Sequence, residues 1–88
     1  MEVKYESRFL KDLQNINNQN TLDKIKTIIE TCKQAESIQQ INHLKKMRGY
    51  NQFYRIRAGD YRLGVSLHEN RLIFVRCLHR KDIYRYFP

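Results

Sequence analysis

The sequence predicts an α+β domain: an N-terminal strand and a two-helix hairpin packed on an antiparallel sheet of three to four strands, closed by a short C-terminal segment. Three observations predict it. Apolar residues recur at three- and four-residue steps from Phe9 to Cys32, they switch to two-residue alternation after Gly49, and turn-forming residues interrupt that alternation twice. A chain of 88 residues has apolar surface for one core only, so residues 1–88 form a single domain.

Each element follows in order. The segment VKYE alternates apolar and charged residues and predicts a short edge strand. Ser7 is placed to cap a helix whose Phe9, Leu10, Leu13 and Ile16 share one face. The polar break NNQN ends it. Asn20 or Thr21 caps a second helix, in which Leu22, Ile25, Ile28, Ile29 and Cys32 form the apolar stripe; the short link makes the pair antiparallel. Ile38, Ile41 and Leu44 predict one or two further helical turns across Ser37 to Leu44. In FYRIRA, Phe53, Arg55 and Arg57 lie on one face and Tyr54, Ile56 and Ala58 on the other, and Gly59 and Asp60 make the turn. YRLGVSL sends Tyr61, Leu63, Val65 and Leu67 one way and Arg62, Gly64 and Ser66 the other. After the turn at His68, Glu69 and Asn70, RLIFVRCL is apolar on both faces near its middle, as a covered central strand is. The end, HRKDIYRYFP, is a short helix or an irregular tail.

Composition narrows the function. The chain carries a formal charge of +8. In residues 1–44 six basic and six acidic side chains cancel, whereas residues 45–88 hold eleven basic against three acidic, so the whole excess is C-terminal. From Arg48 onward eight of the nine basic residues are Arg, whose planar fork of donors grips phosphate, and a polyanion is the expected partner. Cys32 and Cys77 lack CxxC spacing and are expected to be buried thiols. His43, His68 and His79 lack the spacing of zinc ligands and the acidic residues do not cluster, so neither metal nor cofactor is expected. No apolar run reaches the roughly 20 residues that span a bilayer, and the charged start MEVKYESRF is unlike a signal peptide, so a cytoplasmic location without a membrane partner is expected.

The alternation also has a chemical consequence. If the two strands pair through the Gly59-Asp60 turn, Arg55, Arg57 and Arg62 share the face that the apolar sets leave. Three like charges repel one another there unless an anion neutralises them, which sets this face apart from an ordinary solvated one.

The run LKKMRGYNQFYRIRAGDYRLGV, one more strand, and then LHRKDIYRYF resemble the RelE/ParE toxin superfamily, and the opening KYESRFLKDLQNI resembles that family's first strand and helix. The likeness spans nearly the whole chain and lies with the RelE-like branch. It implies a RelE-like fold and a type II toxin-antitoxin toxin: a ribosome-dependent endoribonuclease that cuts mRNA, inhibits translation and is held inactive by a small cognate antitoxin. Its partners would be mRNA, the ribosome with its rRNA, and that antitoxin. Cleavage through the adjacent 2′-hydroxyl needs that hydroxyl deprotonated, the phosphorane charge neutralised and the departing 5′-oxygen protonated, and none of these steps requires a metal.

Carried over by motif, Arg55 and Arg57 take the two basic strand positions, Arg62 the arginine after GDY, Arg80 the basic position of the last motif and Tyr84 its tyrosine. Arg62 and Arg80 suit the scissile phosphate; Tyr84 stacks on a base or shares the proton work. The best-known pattern has lysines where this chain has Arg55 and Arg57, and arginine is a poor general base. Other branches place a histidine near His79, which makes His79 the expected proton donor or acceptor. Lys45, Lys46, Arg48 and Lys81 extend the expected RNA-binding surface, while His43 and His68 read as surface residues. Two alternatives stand beside this: a ParE-like inhibitor of DNA gyrase without catalytic residues, and a non-catalytic nucleic-acid-binding module.

Overall fold

A computed structural model describes residues 1–88. Strand β1 (Glu2–Tyr5) leads into helices α1 (Ser7–Gln14) and α2 (Gln19–Gln34), a 3-10 turn (Ile38–Gln40), strands β2 (Leu44–Lys46), β3 (Phe53–Ala58), β4 (Tyr61–His68) and β5 (Arg71–His79), and a one-turn helix α3 (Ile83–Tyr86). The five strands form one sheet in the order β1-β5-β4-β3-β2, antiparallel throughout except that β1 runs parallel to β5 at the edge. The α+β class and the opening edge strand are as the sequence predicts.

Local details differ. Glu6, not Ser7, is the N-cap residue of α1, and neither side chain caps it. Asn18, rather than Asn20 or Thr21, caps α2, its side-chain oxygen accepting the Thr21 N–H at 3.1 Å. The helical reading of Ser37 to Leu44 holds only for the 3-10 turn; Leu44 opens β2, which pairs with β3 and makes the sheet five-stranded instead of three- to four-stranded. Three residues are too few to show a strand period, so β2 exists through its partner.

One face of the sheet carries the main core. Phe9 of α1 and Ile25 and Cys32 of α2 pack on Ile56, Ala58, Leu63, Val65, Leu72, Phe74 and Cys77, and side chains of this size contribute about 1.5–3 kcal/mol each on full burial. Leu10 is excluded from it, 48% exposed. The opposite face holds a smaller cluster of Met47, Ile83 and Phe87 with Phe53, Val75 and Leu78. A bulge reconciles the two layers: Gly64 pairs with Arg76 and Val65 with Phe74, leaving Val75 without a partner. The extra residue lets both Phe74 and Cys77 reach the main core although strict alternation would send them to opposite faces.

Asp12 of α1 ties the helix to β5 beside this bulge. Its carboxylate accepts the Arg76 guanidinium at 2.8 and 3.3 Å and the Cys77 backbone N–H at 2.9 Å. That hydrogen bond raises the proton affinity of Arg76 further, and both side chains are only 13% exposed.

Asp12→Ala strands a mostly buried guanidinium and a backbone donor, so urea unfolding should show a loss of about 3 kcal/mol, part of which the paired variant Asp12→Leu/Arg76→Met recovers. Burial pushes the Cys32 thiol up to about 11 and, joined by the Asp12 carboxylate, the Cys77 thiol up to about 12, from an ordinary 9.0. The unfolded chain then releases protons that the folded chain keeps, so unfolding free energy should fall as pH rises above about 9. At about pH 8 neither thiol should react with a thiol reagent until the protein unfolds.

Candidate active site

The site is built on the β3–β4 hairpin. Arg57 stands directly opposite Arg62, and Arg55 opposite Gly64, so the three arginines emerge on the face away from the main core. Both residues of the connecting turn help: Gly59, with φ 62°, lets the chain reverse, and the Asp60 carbonyl accepts the Arg80 backbone N–H at 2.8 Å. That bond brings the residue after β5 to the hairpin tip. The Arg62 guanidinium folds back on the turn, donating to the carbonyls of Gly59 (2.8 Å) and Tyr61 (2.9 Å). Partial burial first, and then the charges of Arg55, Arg57 and Arg80, lower its proton affinity. Four guanidinium groups thus act on one another across a single surface, the electrostatic setting of an anion site.

Tyr84 joins this surface from α3. It is 65% exposed, and the Arg55 guanidinium lies over its ring at 5.8 Å from the centroid. Ile83 and Phe87, both buried, anchor the helix. Phe87 occupies the space that a side chain at position 64 would take, since a Cβ on Gly64 would lie 2.8 Å from the ring. A glycine in β4 therefore seats the helix that carries Tyr84.

Two hollows open beside the arginines. The larger, about 600 Å³, receives Lys24 of α2, His43, Arg57, Asp60, Arg62 and Arg80. The smaller, about 230 Å³, lies between His43, Lys45, Arg55 and Arg57. His43 and Arg57 belong to both and form their shared wall.

The expected site residues divide on this basis. Arg55, Arg57, Arg62, Arg80 and Tyr84 come together, and Lys45, opposite Arg55 on β2, joins them. Lys46 stands opposite Tyr54, on the other side of the strand, and Arg48 and Lys81 are exposed away from both hollows. His79 lines neither hollow. It pairs with Tyr61, its ring packs edge-on against Tyr61 at 5.5 Å between centroids, and its Nδ1 accepts the Lys81 backbone N–H at 3.2 Å.

Sequence reasoning missed Lys24 and His43. Lys24 sits on the polar side of α2 and meets the hairpin only in three dimensions, with its Nζ near Gly59. His43 falls within the helical turns that the sequence predicts for Ser37 to Leu44, whereas it adopts a left-handed φ of 63° just before β2. Its carbonyl accepts the Arg57 N–H at 3.2 Å and its Nδ1 lies 3.4 Å from the Arg57 guanidinium.

Comparison with known proteins agrees with this architecture. Residues 3–84 match the model of the ParE toxin of the type II toxin-antitoxin system parDE. The chain is 42% identical to Toxin RelE3 of Methanocaldococcus jannaschii, with all of both chains covered. Among solved structures it resembles a chain of the RelB-RelE antitoxin-toxin complex from Methanococcus jannaschii, with a TM-score of 0.81, 40% identity and coverage of 97% of this chain and 99% of that one. The YoeB dimer from Staphylococcus aureus, at 14% identity and a TM-score of 0.73 over 91% of this chain and 97% of that one, shares the fold. The chain belongs to the RelE/ParE superfamily of type II toxin-antitoxin toxins, in its RelE-like branch.

Proposed function

We propose that this toxin is a ribosome-dependent endoribonuclease that cuts mRNA through the 2′-hydroxyl without a metal ion and so inhibits translation. The observation that carries the proposal is the convergence of Arg55, Arg57, Arg62 and Arg80, with Arg62 partly buried among the other three. Like charges held this close cost stability in the free protein, and a phosphodiester relieves that cost. Arg62 and Arg80 grip the scissile phosphate and neutralise the charge that builds on it. Tyr84, exposed beside Arg55, stacks on a neighbouring base. Lys45, Arg55 and Arg57 follow the RNA backbone, and the ribosome with its rRNA presents the message. His79 is assigned a positioning role, since it packs on Tyr61 and shapes the turn through Arg80 and Lys81.

The same charge supports a second partner. The RelB-RelE complex supports a small cognate antitoxin, and an acidic segment of it would cover Arg55, Arg57 and Arg62 or displace α3.

The test is a translation mixture programmed with a defined message, with the 5′ ends of the fragments mapped. New ends should appear only when ribosomes are present, and Arg62→Ala should lower the cleavage rate by about 10²- to 10³-fold while circular dichroism stays unchanged. Intact messages together with blocked supercoiling by DNA gyrase would replace this reading with the ParE-like one.

A further inference from the structure

We propose that His43 is the general base that takes the proton from the attacking 2′-hydroxyl; the inference rests on the endoribonuclease reading above. That reaction needs a proton acceptor. Arg55, Arg57, Arg62 and Arg80 are permanently protonated donors, and Lys24 and Lys45 are cations. Two acceptors border the larger hollow, the Asp60 carboxylate and the His43 imidazole. Asp60 lies at the outer turn and borders that hollow alone, whereas His43 stands on the wall between both. A scissile linkage has a nucleotide on each side of it, so a group on the shared wall meets the ribose and the phosphate together.

The local geometry supports the same assignment. A guanidinium can only donate, so Nδ1 is the acceptor in the 3.4 Å contact with Arg57. The groups facing this imidazole are Arg57 from β3, Lys24 from α2, Arg62 from β4, Arg80 and Asp60 at the hairpin tip, and Lys45 and Arg55 across the smaller hollow. When a phosphodiester engages Arg57, the guanidinium turns to it and the Nδ1 lone pair is released beside the 2′-hydroxyl. The backbone holds the ring there at a cost, because a φ of 63° is a sparsely populated conformation for histidine and is kept by the bond from the Arg57 N–H to the His43 carbonyl.

The step balances as follows. The 2′-hydroxyl proton passes to Nδ1, the 2′-oxygen bonds to phosphorus and the bond from phosphorus to the 5′-oxygen breaks. The departing 5′-oxygen takes a proton from water, and the imidazolium neutralises the hydroxide left behind. The products are a 2′,3′-cyclic phosphate and a 5′-hydroxyl end.

The experiment measures single-turnover cleavage of a ribosome-bound message between about pH 6 and pH 8 for the wild type, His43→Asn, His43→Gly, Arg62→Ala and the control His68→Asn, whose position lies at the far end of β4. Asparagine and glycine both accept a left-handed φ, so both variants should fold, and His43→Gly should melt no lower than the wild type. Both should cleave about 10²- to 10⁴-fold more slowly and lose the fall in rate toward acidic pH, while His68→Asn keeps both. Added free imidazole should restore part of the His43→Gly rate. If His43→Asn keeps the wild-type rate and acid limb while Arg62→Ala is inactive, the base assignment is overturned and the nuclease reading stands. A wild type that leaves the message intact overturns both.

Discussion

Arg57 faces Arg62 across two hydrogen-bonded strands, and most of the molecule serves to hold that repulsion in place. The restraint comes from beneath. Ile56, Ala58, Leu63 and Val65 alternate with the arginines and are at most 1% exposed, sealed by α1 and α2. Slipping one strand by one residue would relieve the charges only by turning its two core side chains, Ile56 and Ala58 or Leu63 and Val65, into water. The apolar face thus fixes the register, and the register fixes the cationic face.

The second layer works by contact. Gly64, opposite Arg55, leaves room for Phe87, and Phe87 with Ile83 and Met47 binds α3 to the sheet. A small cluster at the back of the hairpin therefore decides where Tyr84 stands relative to Arg55. The β5 bulge makes a matching adjustment on the other side. It keeps Phe74 and Cys77 in the main core and turns His79 toward Tyr61, while the next residue, Arg80, is drawn to the Asp60 carbonyl. Two adjacent basic residues in the sequence consequently have different surroundings.

Much of this was legible beforehand. Period-two alternation in FYRIRA and YRLGV gives the facing of Arg55, Arg57 and Arg62 directly, because the pleat fixes side-chain direction residue by residue. The helical stripes located α1 and α2 for the same reason. The misplacements share another cause. β2 is only three residues long and gains its identity from β3, and Asn18 caps α2 through a choice among several polar neighbours.

By itself, then, the order of residues determined the α+β class, the two apolar surfaces and the gathering of positive charge on the last half of the chain, all of which follow from local periodicity and composition. Folding decided which imidazole reaches the arginines. His43 meets Arg57 across 14 residues of chain, and Lys24 reaches the hairpin from α2. Such meetings depend on strand register, a left-handed backbone turn and the packing of a helix on a sheet, none of which leaves a periodic mark in the residues concerned.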